Sequence, residues 1–71
     1  MKVIIVFKSV HYTIKADNLL REKGLKYQII TTPREISTDC GMSIETDLTS
    51  FKDIELVLLQ NQFEYQSFKG D

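Results

Sequence analysis

The segment Thr32–Glu45, TPREISTDCGMSIE, holds the only cysteine of the chain, Cys40, with Gly41 directly after it and the pair Pro33–Arg34 upstream. Cysteine reacts as its thiolate, which is the better nucleophile and the better acceptor of a transferred sulfur atom. A helix amino terminus, an arginine or an imidazolium close by favours that anion. The chain can supply each of them: Arg34, the only histidine, His11, and a helix start after Ser9. Gly41 adds a backbone N–H that no side chain shields.

Each of these residues also has a plainer role. Unpaired cysteine is among the most buried residue types and often serves as a small hydrophobe, the commoner role on pattern alone. His11 fits a surface or capping residue. Arg34 and Glu35 fit a solvated loop pair, and Ser37, Thr38 and Asp39 fit turn formers. Tyr12 and Tyr27 read as packing residues.

Other chemistries lack their parts. One histidine and one cysteine cannot complete a zinc site of the usual kind, so no metal is expected. Three separated glycines make no phosphate loop. A cysteine–histidine hydrolase would need a third, orienting residue that is not evident, and a larger cleft. The basic and aromatic strand signature of RNA-binding domains is missing.

The elements that would position these residues can be read from periodicity. KVIIVFKS, from Lys2, is β-branched and apolar on both faces, a central strand. A helix follows from about Val10, with Ser9 as N-cap. Its apolar face is expected at Tyr12, Ala16, Leu19, Leu20 and the stem of Lys23. Gly24 stops it. Leu25–Thr32 alternates as a second strand, ended by Pro33, which brings no donor to a ladder. REISTD is a loop. CGMSIE alternates again, with Cys40, Met42 and Ile44 on one face. The second helix is expected to open with a capping box of Ser50 and Asp53 and to bury Phe51, Ile54, Val57 and Leu58. Phe63–Phe68 is a last strand.

The order β-α-β-β-α-β is that of the split βαβ, or ferredoxin-like, α+β sandwich: a four-stranded, mostly antiparallel sheet with two helices on one face. A right-handed crossover makes the first two strands parallel. The third then lies antiparallel between them. That topology brings Ser9, His11, Pro33, Arg34, Cys40 and Gly41 to one rim of the sheet, beside the start of the first helix. The sulfur should look toward that helix start.

The chain of 71 residues is read as a single domain, residues 1–71. A domain of this size buries only about 60% of its unfolded surface, and one cysteine makes no internal bridge, so a homodimer is an open expectation. Only the last residues, FKGD, are expected to be disordered. A formal net charge of −1, with both signs interspersed, argues against nucleic acid or an anionic membrane as partner. The longest apolar run, Val3–Phe7, is far short of a bilayer span. The amino terminus fits neither a signal peptide nor a transit peptide. A cytoplasmic location, where thiols stay reduced, is the default.

Phe7, Ser9, His11, Pro33, Arg34, Ser37, Cys40 and Gly41, in this order and spacing, together with Gly24, resemble the pattern of the Putative Se/S carrier protein-like family of small bacterial domains. The likeness covers most of the chain, and its proline–arginine to cysteine–glycine block is the most specific part. The first helix, YTIKADNLL, is less alanine-rich than that pattern, and the carboxyl-terminal third matches only as a generic helix and strand. The resemblance implies a carrier that holds sulfur or selenium on Cys40 as a persulfide or selenopersulfide. Ser9, His11, Pro33, Arg34, Ser37 and Gly41 would surround the anion. A donor such as a cysteine desulfurase would load it and an acceptor enzyme would unload it. Such a protein is a covalent carrier more than a turnover enzyme, and it needs no cofactor.

Two alternatives stand beside this reading. One is a non-catalytic interaction or dimerisation domain in which Cys40 is a core residue. Its interface would be the uncovered sheet face, with Ile4, Val6 and Ile30 turned outward. The other is a thiol redox sensor.

Overall fold

Lys2–Phe7 (β1) alternates between two environments, and the sheet is built around it. Val3, Ile5 and Phe7 are buried toward the helices; Lys2, Ile4 and Val6 face the other side. The computed structural model describes residues 1–37 and 40–70. The remaining elements are Val10–Glu22 (α1), Gln28–Thr31 (β2), Met42–Asp47 (β3), Leu48–Gln60 (α2) and Tyr65–Gly70 (β4).

The strand order is β2-β3-β1-β4, and all three pairings are antiparallel. β1 and β2, both antiparallel to β3, therefore run parallel to each other, as two strands joined by a crossover helix do. The expected ferredoxin-like sandwich is the observed one. Ile5 and Ile29 both register with Ile44, so three branched side chains meet on the helix face of adjacent strands. Ala16 and Leu20 of α1 and Phe51, Ile54 and Leu58 of α2 close over them. Among the described residues, no helix is long and apolar enough to cross a membrane.

Several local expectations need correction. The buried stripe of α1 is Thr13, Ala16 and Leu20; Tyr12 is exposed. Ser9 does occupy the N-cap of α1, but its side chain makes no capping hydrogen bond. α2 begins three residues earlier than the capping-box reading. Its N-cap is Asp47, whose Oδ1 accepts from the Ser50 backbone N–H at 2.7 Å. That N–H is the main reason the Asp47 carboxyl is held below its ordinary pKa. β2 is shorter than Leu25–Thr32, although Leu25, Tyr27 and Ile29 pack on the core as the alternation requires. β4 starts two residues later and runs through Phe68, Lys69 and Gly70, which pair with Ile4, Val3 and Lys2. The expected frayed tail is thus ordered up to Gly70.

Both helices end alike. After α1, Gly24 sits at φ 71°, its N–H bonded to Arg21 O and that of Leu25 to Leu20 O. After α2, Gln62 sits at φ 59°, with Gln62 N–H on Leu59 O and Phe63 N–H on Leu58 O. These are two Schellman caps, one with the residue type it favours and one without. The second delivers Phe63 edge-on to Phe7, with centroids 5.8 Å apart.

Two tyrosines tie the helices to the flanks of the sheet. Tyr27 OH donates to Asp17 of α1, and Tyr65 OH donates to Glu55 of α2 at 2.7 Å. Burial first, then the carboxylate partner, pushes each phenol from about 10 up to about 12. A raised folded pKa gives stability that is complete below the unfolded value and lost as pH rises through the folded one.

Two predictions follow from these features. Gln62→Gly should raise stability by up to about 1 kcal/mol and Gly24→Ala lower it by about 1 kcal/mol, both read from urea unfolding midpoints. Stability should also fall between pH 10 and about 12, with absorbance at the tyrosinate band rising in step. The double variant Tyr27→Phe, Tyr65→Phe should lack most of that fall.

Candidate functional site

The rim where β1 and β2 end and β3 begins carries the residues singled out from sequence. β2 ends at Thr31, opposite Met42, and the ladder continues one step as Thr32 N–H bonds to Gly41 O at 3.2 Å. Pro33 then opens a tight turn: its carbonyl accepts from Ile36 N–H at 3.0 Å and Ser37 N–H at 3.2 Å. The Ser37 hydroxyl accepts from Cys40 N–H at 3.3 Å. A short polar side chain thus fixes the backbone of the cysteine from three residues upstream. Thr38 and Asp39, expected as turn formers, lie outside the described residues.

Cys40 precedes β3, and its sulfur points to the helix layer, as the alternation with Met42 and Ile44 implies. The thiol donates to Met42 O at 2.9 Å, and Sγ lies 3.7 Å from Thr13 Oγ1 in the first turns of α1. Thr13 Oγ1 also lies 3.2 Å from Met42 O and 3.3 Å from Ser9 O. The residue is buried, with 2% of its surface exposed. It nonetheless contributes to the wall of an open cleft of about 450 Å³, together with Val6, Ile36 and Ser37, with Lys8 and Glu64 also on its lining.

Ser9 holds the helix start through its carbonyl, which accepts from the N–H groups of Tyr12 and Thr13 at 3.1 Å. Gly41 is exposed, with open space where a Cβ would stand. His11 and Arg34 are both exposed, and no hydrogen bond or ion pair joins either to Cys40 among the described residues. Successive helix residues are about 100° apart, so placing Thr13 against the sheet turns His11, two positions back, to solvent. Its ring packs edge-on against Tyr12, 5.3 Å between centroids.

Thr13 is the residue sequence reasoning missed. The signal was present: stepping back three positions from Ala16 along the Ala16–Leu20 stripe gives Thr13, not Tyr12. Counting threonine as polar hid it. A second buried pair, Thr32 Oγ1 and Ser43 Oγ at 2.5 Å, lies on the sheet face without helices. Ser43 is fully buried there and Val6 is 7% exposed. Ile36 of the Pro33–Ser37 turn lines the same cleft as Val6, so the turn folds over this end of the face. Of the apolar side chains expected to face outward, Ile4 and Ile30 remain half-exposed and Val6 does not. Among the described residues, no three His, Cys, Asp or Glu side chains gather as a metal site requires.

The chain belongs to the family described as Putative Se/S carrier protein-like, whose model matches residues 2–69. No curated protein and no solved structure matches it.

The burial of Cys40 has a kinetic consequence. Labelling of the native thiol by a bulky maleimide should be slower than labelling in urea by about tenfold or more, because a reagent of that size reaches a residue 2% exposed only after local opening. Stopped-time alkylation followed by intact-mass measurement checks this.

Proposed function

We propose that this member of the Putative Se/S carrier protein-like family carries a zero-valent sulfur or selenium atom on Cys40 and hands it to a partner enzyme. The observation that carries the reading is the placement of the chain's single thiol. Its sulfur lies between the first turns of α1 and the start of β3, in a buried residue that borders an open cleft. Family membership supports the class of cargo.

The loading step follows from thiolate chemistry. The Cys40 thiolate attacks the outer sulfur of a persulfide on a donor such as a cysteine desulfurase. A sulfur–sulfur bond forms on Cys40 as the donor's own sulfur–sulfur bond breaks. The electron pair of the broken bond leaves with the donor's cysteine, which takes up a proton. There is no net oxidation, and unloading to an acceptor thiolate is the same exchange in reverse. Selenium follows the same scheme with a selenopersulfide.

The surroundings suit such an exchange. Open space at Gly41 lets a donor approach the backbone next to Cys40. Arg34 and His11, exposed near the same rim, would meet the charge of a docked partner. Ser9 and the first turn of α1 bring the positive end of a helix dipole. The Pro33–Ser37 turn holds the cysteine's backbone in register.

The 2% exposure of Cys40 favours a second reading, an interaction domain in which the cysteine only fills the core. One experiment separates the two. Incubation with a cysteine desulfurase and free cysteine should add one sulfur atom per chain by intact mass. The added atom should be removed by a reducing thiol and absent in Cys40→Ser. No added mass, from protein whose thiol alkylates fully in urea, would leave the core-filler reading standing.

A further inference from the structure

Thr13 has more acceptors than protons. Its Oγ1 lies within reach of Ser9 O, Met42 O and Cys40 Sγ, yet a hydroxyl has one hydrogen to donate. Met42 O, in turn, faces two donors, the Thr13 hydroxyl and the Cys40 thiol. The side chain is fully buried and β-branched, on the stripe that packs α1 to the sheet, so its heavy atoms are held while the O–H bond can rotate.

We propose that Thr13 tunes the reactivity of Cys40 by redirecting this one hydrogen. While the sulfur keeps its proton, the thiol donates to Met42 O and the threonine hydroxyl donates to a backbone carbonyl. When the sulfur gives its proton to water, the Thr13 O–H turns about its Cβ–Oγ bond and donates to the anion. The turn of the hydroxyl needs no shift of the Thr13 heavy atoms and no exposed cation at the sulfur, which on losing its proton moves off Met42 O. It gives the buried site a donor that a valine of the same shape would lack. Charged groups also bear on this anion. Lys8 at the end of β1 and Glu64 and Tyr65 at the start of β4 line the same cleft. His11 of α1 and Arg34 of the turn are exposed near the rim. All of them are unchanged by substitution at Thr13, so variants at that position isolate the hydroxyl.

The inference deepens the carrier reading and rests on it for its purpose, but its test uses neither donor nor cargo. Thr13→Val keeps the branched shape and removes the O–H; Thr13→Ser keeps the O–H and loses a methyl group. The rate of Cys40 alkylation by iodoacetamide is measured against pH in folded protein, with urea unfolding of each variant alongside. Thr13→Val should slow labelling about tenfold near neutral pH, the value of one hydrogen bond to an anion, and reach the same plateau at alkaline pH. Thr13→Ser should restore the neutral rate. If valine fails to fold, Thr13→Ala against Thr13→Ser gives the same comparison.

Superimposable profiles for the hydroxyl-free variant and the parent would overturn the proposal. So would equal slowing at every pH in the hydroxyl-free and serine variants, which would mark a packing effect on access. The desulfurase loading assay is independent of both. Loss of loading with the Thr13 effect intact would sink only the carrier reading, and intact loading with no Thr13 effect would sink only this one.

Discussion

The antiparallel insertion of β3 between β1 and β2 organises the rest of the molecule. Because β3 opposes both neighbours, its amino end lies where theirs finish. The end of β2 and the start of β3 therefore share one rim, where the Pro33–Ser37 turn bonds back to the Cys40 N–H. The register Ile5–Ile44–Ile29 fixes which faces are shared. A slip of one residue would turn Ile44 out and Ser43 in. The sulfur's direction follows from the same parity, since Cys40 stands two and four positions before Met42 and Ile44.

Hydroxyl groups do at this rim what apolar groups do elsewhere in the core. Thr13, Thr32 and Ser43 are buried, and each has a partner, so burying their oxygens carries little penalty. Of the three, Thr13 is the one that stands against the Cys40 sulfur, which has Met42 O as its other polar neighbour. A fully apolar setting would leave an anion at this place without a donor. The Thr13 hydroxyl is such a donor, within reach of a residue that is otherwise covered.

Legibility from sequence varied by element for identifiable reasons. The strands and the first helix stop were readable because alternation and a glycine at the C′ position are local signals. The end of α2 was less readable, since its left-handed residue is Gln62, a type that carries no such signal. The start of α2 was misplaced because Ser50 and Asp53 imitate a capping box inside the first turns, while the cap itself is Asp47. The tail Phe68–Gly70 looked disordered in isolation; it is ordered by the β1 backbone, a partner more than sixty positions away.

What the sequence determined by itself is the element order, the handed crossover and hence the meeting of Ser9, Pro33, Cys40 and Gly41 at one edge. Those rest on local periodicity and on a chirality that every L-chain shares. Only the tertiary structure decided that Thr13, and not His11 or Arg34, faces the sulfur, and that the cysteine is covered. Helix rotation and the lie of a loop depend on how α1 packs against the sheet and how Ile36 seats near Val6. Packing of that kind is settled by contacts between residues far apart in the chain, which no short-range pattern records.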